Sequence, residues 1–259
     1  MSLRTDNLEL RYGETLAVRA TTVELEPGEL IGLIGPNGAG KTSLLRGLAG
    51  IAGTGREVSW RGRPLAALAA DARAREIAYL PQAPAAHWPL AVRELVALGR
   101  MPHRRFGERL TATDLGAIDE AMHKTDIASL AARPVDRLSG GERMRVHLAR
   151  AFAVEAPVLL VDEPIASLDP YHQLSVMRLL SGHREAGCLV VAVLHDLNLA
   201  LRYCTRFLLM DAGEIAVDDA PAAALDAARL ARHYRISAWL TEHEGQRVAV
   251  PWEMLDADD

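Results

Sequence analysis

Short apolar segments recur along the chain, and each is followed by a stretch with helical spacing. Residues 29–34, 158–162 and 189–194 are apolar on both alternating faces, which is typical of strands buried on both sides of a parallel sheet. After the first of them, residues 41–48 place three leucines on one helical face, and Gly50 ends this helix. Strands that alternate with helices predict an α/β fold with a mostly parallel sheet.

Other patterns predict units attached to this core. Residues 1–26 carry short alternating apolar and polar segments, which suit an antiparallel β portion. Residues 207–217 predict a hairpin. Between residues 84 and 150, Ala, Leu and Arg dominate and helical spacing replaces the strand pattern, which indicates an inserted α-helical subdomain. After residue 222 we expect a helix and then a second hairpin.

The composition limits the classes of protein to which the chain can belong. Hydrophobic residues make up 49% and charged residues 24% of its 259 residues, as in an average folded domain. Its apolar runs are far shorter than the roughly 20 residues that cross a bilayer, and its opening residues lack the apolar core of a secretory signal. We therefore expect a cytoplasmic protein. The net charge of −5 disfavours a nucleic-acid partner, which requires a basic surface.

A glycine-rich motif directly follows the first buried strand. Residues 35–42 read GPNGAGKT and match the G-x-x-x-x-G-K-[ST] pattern in full. Glycines let backbone N–H groups face a phosphate, Lys41 reaches the terminal phosphates, and Thr42 offers a hydroxyl to Mg²⁺. A flexible turn would explain the glycines but not the Lys-Thr pair. The predicted nucleotide-binding residues are Gly35, Pro36, Asn37, Gly38, Ala39, Gly40, Lys41 and Thr42.

Two carboxylates, Asp162 and Glu163, end the second buried strand. Charges at this position are costly unless a cation lies close by, and a Mg²⁺ shared with Thr42 meets that need. Asp162 is then predicted to hold Mg²⁺ through water, and Glu163 is predicted to orient or deprotonate the water that attacks the γ-phosphate. Taken alone, the segment is explained equally well as a strand that ends in solvated acids. The phosphate loop favours the catalytic interpretation.

A third motif, LSGGE at residues 138–142, precedes a helix that we expect to begin near Arg143. Ser139 and Glu142 fit an S-x-x-E capping box, which is by itself a structural explanation. The two glycines between them add bare backbone at the positive end of the helix, where an anion can approach. The predicted nucleotide contacts here are Ser139, Gly140 and Gly141.

The motifs GPNGAGKTS, LSGGE and VLLVDEP, in this order, resemble those of the nucleotide-binding subunit of ATP-binding cassette (ABC) transporters. The resemblance covers nearly the whole chain. It implies one ABC ATPase domain with a P-loop NTPase core at residues 1–83 and 151–221, a helical subdomain at 84–150 and a C-terminal extension at 222–259. It also implies that ATP and Mg²⁺ are bound in a head-to-tail dimer, between the phosphate loop of one copy and Ser139 of the second copy.

The resemblance implies roles for five further residues. Tyr12 in LRYGE looks like the aromatic residue that stacks on adenine, and Ser43 looks like a contact to the α-phosphate. Gln82 in YLPQ looks like the glutamine that reaches Mg²⁺ and the attacking water. Asp169 in SLDP looks like the aspartate that crosses the dimer interface. His195 in LHD looks like the histidine that contacts the γ-phosphate.

Most of these residues also have a structural explanation. A tyrosine in an amphipathic strand more often serves packing, Asp169 also suits the N-cap of a helix, and His195 could be a satisfied core histidine. Ligands bind at strand ends in α/β sheets, which favours a binding role for His195. Two departures from the family pattern, Arg143 after the LSGGE motif and residues 165–166 as Ile-Ala, remove no phosphate contact.

Residues 92–103, 133–146 and 172–173 resemble the importer branch that serves ferric siderophores, haem and cobalamin. This implies a homodimer, two membrane-spanning permease subunits and, indirectly, a substrate-binding protein, with the chain peripheral to the cytoplasmic face of the inner membrane. The helical stretch at residues 91–99 and the basic run at residues 100–105 suit a surface that meets a membrane subunit. The basic residues equally suit a solvated face.

Two other classes of ABC protein share these motifs but fit the rest of the sequence less well. A non-transport ABC ATPase that acts on ribosomes or DNA usually has two cassettes, long insertions or basic arms, and these are missing from the sequence. A regulatory nucleotide-binding protein without turnover is opposed by the presence of both Glu163 and His195.

Overall fold

The computed structural model describes residues 1–82, 90–105 and 107–255. The strands are β1 (Leu3–Tyr12), β2 (Thr15–Leu25), β3 (Leu30–Ile34), β4 (Val58–Trp60), β5 (Arg63–Pro64), β6 (Ile77–Leu80), β7 (Val158–Asp162), β8 (Leu189–Val193), β9 (Arg206–Asp211), β10 (Glu214–Asp219), β11 (Ile236–His243) and β12 (Gln246–Met254). The α-helices are α1 (Lys41–Leu48), α2 (Ala70–Glu76), α3 (Val92–Ala97), α4 (Ala112–Lys124), α5 (Gly140–Phe152), α6 (Pro170–Glu185), α7 (Leu197–Tyr203), α8 (Pro221–Ala224) and α9 (Ala227–Arg229).

A six-stranded sheet of order β10-β9-β3-β8-β7-β6 forms the centre of the fold. Its strands run parallel except β10, which pairs antiparallel with β9 at one edge. Every residue of β3, β7 and β8 is buried. The predicted α/β class with a mostly parallel sheet is confirmed, and so are the three buried strands and the hairpin formed by β9 and β10.

Two hydrophobic cores lie on the two faces of this sheet, because successive side chains of a strand point to opposite faces. Ile31 and Leu33 of β3 pack in one core with Leu44 of α1. Leu30 and Ile34 pack in the other core with residues of α5, α6 and α7. The continuous apolar runs in the sequence therefore arise from burial on both sides.

The N-terminal strands β1 and β2 pair antiparallel, as predicted, with Leu3 opposite Leu25. They belong to a separate four-stranded sheet of order β2-β1-β4-β5. Strands β4, β5 and β6 are not predicted from the sequence, because they have only three, two and four residues and offer too little pattern.

Helix α5 begins at Gly140 and not near Arg143, so the predicted start was wrong by three residues. Ser139 is its N-cap: the Ser139 hydroxyl accepts from the Glu142 amide at 3.2 Å, and the Glu142 carboxylate accepts from the Ser139 amide at 2.8 Å. The predicted capping box is confirmed, and it places the two glycines inside the first turn.

The basic run at residues 100–105 is not a uniform surface, because Arg100 is buried. Its guanidinium is paired with Asp114 at 2.9 Å and with Glu155 at 2.6 Å, and it also donates to the Ala153 carbonyl at 2.7 Å. Arg100 therefore joins the 3-10 turn Leu98–His103 to α4 and to the end of α5. The expectation that Arg100 belongs to a docking or solvated face was wrong.

The C-terminal part contains short helices α8 and α9, a π-helical turn at Leu230–Tyr234 and the β11–β12 hairpin. The predicted order of helix and then hairpin is confirmed, although the helical part is broken into three pieces. The hairpin is attached to α7 through a hydrogen bond from the Ala249 amide to the Asn198 side chain at 2.9 Å. Among the described helices, none combines the length and the apolar composition that crossing a bilayer requires.

Candidate functional site

The phosphate-loop motif lines an open cavity of about 410 Å³ at the carboxyl edge of the parallel sheet. Glu163 follows β7 and His195 follows β8, so the sheet brings them to the loop that follows β3. The predicted site residues that line this cavity are Asn37, Gly38, Ala39, Gly40, Lys41, Thr42, Ser43, Glu163 and His195.

Two glycines of the loop lie against other backbone segments. A Cβ at Gly35 would be 2.0 Å from the Met210 carbonyl oxygen, and a Cβ at Gly40 would be 2.3 Å from the Ala17 carbonyl oxygen. Both residues also have positive φ angles, 139° and 97°. No other residue type fits these two positions without moving the loop.

Lys41 is buried, and its ammonium group lies inside the loop. Nζ donates to the carbonyl oxygens of Gly35 and Pro36, each at 2.8 Å. Burial lowers the pKa of Lys41, while the negative charges of Glu163 and Asp162 raise it. A buried ammonium beside bare loop backbone is suited to bind the terminal phosphates of a nucleotide.

Thr42 and Asp162 form the oxygen pair predicted for Mg²⁺. The Thr42 hydroxyl donates to Asp162 Oδ1 at 3.0 Å, whereas Asp162 Oδ2 is buried without a hydrogen-bond partner in the described part of the chain. Burial, followed by repulsion from Glu163, raises the pKa of Asp162. A hard cation would satisfy the free oxygen and favour the charged carboxylate, so this pair fits Mg²⁺.

Glu163 lies between Gln82 and His195, two residues to which the family resemblance gives roles in the site. Its Oε2 accepts from the Gln82 amide at 2.6 Å, and its Oε1 accepts from His195 Nε2 at 2.8 Å. The backbone at Glu163 has a φ of 49°, a left-handed conformation that is costly for a non-glycine residue. The side chains of Gln82 and His195 thus fix both carboxylate oxygens of Glu163 at the cavity.

The LSGGE residues and Asp169 lie outside the residues that line this cavity. They are close to each other, because a Cβ at Gly141 would be 2.2 Å from the His172 ring, and Asp169 caps α6 by accepting from the His172 amide at 3.0 Å. The Asp169 side chain is 61% exposed. The first turns of α5 and α6 therefore form a second surface, separate from the phosphate loop.

Tyr12 lines a neighbouring cavity of about 280 Å³ rather than the phosphate-loop cavity. Arg46 of α1 lines the same cavity. The nearby hydroxyls of Tyr79 and Tyr12 help to raise the pKa of Arg46. Tyr12 is half exposed.

Sequence reasoning missed two walls of the phosphate-loop cavity. One is the start of β2, at residues 15–17, and the other is the turn formed by Ala212 and Gly213. The Gly213 amide donates to the Ala39 carbonyl at 3.1 Å, which attaches this turn to the loop. Neither segment has a motif of its own, and only the folded hairpins bring them together.

A family model described as ABC transporter matches residues 18–166. The chain belongs to the ABC transporter family. It is an ABC-type ATPase. Of the three motifs that carried the resemblance, the phosphate loop and the segment that ends at Glu163 contribute residues to the cavity, and LSGGE lies on the separate surface.

Relatives of this ABC ATPase cover most of its length. The hemin import ATP-binding protein HmuV of Pseudomonas putida is 40% identical over 247 residues, 93% of this chain and 95% of that protein. The cobalamin import ATP-binding protein BtuD of Halobacterium salinarum is 40% identical over 258 residues, 97% of this chain and 64% of that protein.

Solved structures share the fold of this ABC ATPase. A dimeric bacterial ABC transporter cassette, MJ0796, is 25% identical with a TM-score of 0.73 and covers 85% of this chain and 98% of its own. A chain of an inward-facing ABC transporter has a TM-score of 0.82 at 22% identity, with 97% of both chains covered.

Proposed function

We propose that this chain is the ATP-hydrolysing subunit of an importer that takes up an iron complex, siderophore or haem, or cobalamin. The observation that carries the ATPase part is the position of Glu163, held by Gln82 and His195 at the mouth of the phosphate-loop cavity. The importer part rests on HmuV and BtuD, whose names describe hemin and cobalamin import and which align over more than nine-tenths of this chain.

In the proposed reaction, Glu163 orients a water molecule toward the γ-phosphate and accepts its proton. Gln82 and His195 act on this step by restricting the carboxylate to one orientation. His195 also lines the cavity, where it can contact the γ-phosphate. Lys41 leaves the loop carbonyls to bind the terminal phosphates, and Ser43 lies at the start of α1, where it can contact the α-phosphate.

Thr42 and Asp162 would hold Mg²⁺, with Gln82 close to the same site. When bound, Mg²⁺ neutralises charge that develops on the β- and γ-phosphates. The free Oδ2 of Asp162 supports this assignment. The side chains proposed for this site are those of Thr42, Asp162 and Gln82, and water and nucleotide would complete the coordination.

We propose a head-to-tail dimer because Ser139, Gly140 and Gly141 are remote from the chain's own phosphate loop in sequence and absent from its cavity lining. In the dimer, the positive end of α5 faces the nucleotide held by the second copy. Asp169, on the adjoining surface, crosses the interface. Tyr12 stacks on the adenine ring at the outer side of the same nucleotide.

The proposed domain organisation assigns ATP binding and hydrolysis, the LSGGE motif and the C-terminal part to separate segments of the chain. Residues 1–83 and 151–221 form the catalytic core, residues 84–150 form a helical subdomain that carries the LSGGE motif, and residues 222–259 form an extension. The dimer is peripheral to the cytoplasmic face of the inner membrane and drives two permease subunits, and a substrate-binding protein delivers the cargo to those subunits.

Co-purification from membranes tests the transport proposal. The tagged chain should recover a polytopic membrane subunit after mild detergent extraction, and ATPase activity of the complex in liposomes should rise when the loaded binding protein is added. Haem, a ferric siderophore and cobalamin should be supplied separately, since only the cargo of this system should stimulate. Lys41→Ala, which removes the phosphate ligand, should abolish stimulation while retaining the membrane subunit.

Recovery of ribosomes or DNA without any polytopic partner would contradict transport and favour the non-transport class. Failure of all three cargoes, with a permease present, would contradict the cargo assignment alone.

A further inference from the structure

The first turns of α5 and α6 pack against each other through the side chain of His172. A Cβ built on Gly141 would be 2.2, 2.4 and 2.5 Å from the ring atoms Cγ, Cδ2 and Nδ1 of His172. The ring therefore occupies the space that a side chain at position 141 would need, and it lies against the bare backbone of the LSGGE turn. Packing within one chain is thus enough to require the second glycine of this motif.

His172 is also joined to Asp169, the N-cap of α6. The His172 amide donates to Asp169 Oδ1 at 3.0 Å. On the side chain, His172 Nε2 is 3.9 Å from Asp169 Oδ2, a distance about 1 Å too long for a hydrogen bond. One residue therefore contacts both the LSGGE turn and the aspartate that we assign to the dimer interface.

Packing alone does not explain a histidine at this position. His172 Nδ1 is buried and has no hydrogen-bond partner among the residues that the structure describes. The Tyr171 ring meets the His172 ring edge-on, with the centroids 5.4 Å apart. A buried nitrogen without a partner costs free energy, and an apolar ring would fill the same space without that cost. The nitrogens of His172 therefore require a reason outside the stability of the single chain.

We propose that His172 is a positioning residue for the dimer interface: its ring holds the LSGGE turn through Gly141, and its Nε2 donates to Asp169 Oδ2 when the second copy binds. The carboxylate of Asp169 is then held at both oxygens, one by the His172 amide and one by the imidazole. The two groups through which one chain reaches the second copy become a single unit. The inference rests on the proposed head-to-tail dimer and does not depend on the cargo.

His172→Phe tests the hydrogen bond, because phenylalanine keeps a planar ring over Gly141 but has no donor. In a chain that also carries Glu163→Gln, we expect the dissociation constant of the MgATP-bound dimer to rise about 10-fold, the loss of a hydrogen bond to a charged group. The Kd for MgATP of the dilute single chain should stay within about twofold, because His172 is not among the residues that line the phosphate-loop cavity. Sedimentation equilibrium at graded protein concentrations measures the dimer.

The melting temperature of the nucleotide-free chain separates this role from a structural one. It should stay unchanged or rise in His172→Phe, because a buried nitrogen without a partner is removed. A structural role alone predicts an unchanged dimer constant. Gly141→Ala and His172→Ala should each lower the melting temperature, the first by a clash and the second by a void. Together they should lower it by less than the sum, because the ring that meets the added Cβ is gone.

His123→Phe is the matched control, since His123 is exposed in the last turn of α4. It should keep the dimer constant of the Glu163→Gln parent. A dimer constant for His172→Phe equal to that of the parent would overturn the inference and leave the proposed dimer intact. Strictly additive losses in the double alanine variant would overturn the contact with Gly141. If the parent itself fails to pair with MgATP, the proposed dimer is wrong and this inference is wrong with it.

Discussion

Glu163→Gln should lower the kcat of ATP hydrolysis by about 10²- to 10⁴-fold, the usual contribution of a general base. The substituted amide keeps the size of the side chain but cannot accept a proton from water. Binding of MgATP should be retained, because Lys41, Thr42 and the loop backbone are unchanged. Phosphate release measured at saturating MgATP, with retained nucleotide quantified in parallel, checks both parts.

Glu185→Gln is the control for this variant. Glu185 ends α6, its side chain is 64% exposed, and it has no place in the cavity. It should hydrolyse ATP at the wild-type rate. Hydrolysis at the normal rate by Glu163→Gln would show that another group activates the water and that the role given to Glu163 is wrong.

Gly35→Ala should remove nucleotide binding and destabilise the fold. The added Cβ would lie 2.0 Å from the Met210 carbonyl oxygen, which is backbone at the end of the central sheet and cannot rotate away. Overpacking and the unfavourable backbone conformation together should lower the free energy of unfolding by about 3 kcal/mol. The displaced loop should weaken MgATP binding by at least about 100-fold. Thermal melting and equilibrium binding measure the two effects.

Gly62→Ala separates the two causes. Gly62 has a φ of 72°, but no described atom lies within 4 Å of an added Cβ. It therefore carries the cost of the backbone conformation without the clash, about 1 kcal/mol. Gly62→Ala should bind MgATP like the wild type. If Gly35→Ala behaved like Gly62→Ala, the close approach of the loop to β9 would not matter for binding.

The sequence predicted the parts of the site that depend on local pattern. Residues 35–42 are recognisable because the backbone needs glycine and the chemistry needs Lys-Thr in a fixed order. The strand ending at Asp162 is recognisable because burial on both faces leaves a continuous apolar run. The start of α5 was misplaced because helix propensity is weak in Gly140 and Gly141, whereas the cap of Ser139 decides the boundary.

The rest depends on contacts between segments that are distant in sequence. The turn at Gly213 and the start of β2 become cavity walls only after two hairpins pack on the loop. In the sequence, Arg100 looks like one residue of a basic surface run. In the structure it is buried, because its guanidinium is paired with Asp114 and Glu155 on other segments. No local pattern marks such residues, because the partner that decides their role is supplied by the fold.

We propose that triphosphate is enclosed between two copies of this chain, each closing the site of the other. The most direct test is the mass of Glu163→Gln in solution, by light scattering on a sizing column, with and without MgATP. We expect the mass of one chain without nucleotide and the mass of two chains, retaining two ATP molecules, with MgATP. A single chain that holds ATP and never pairs would contradict it.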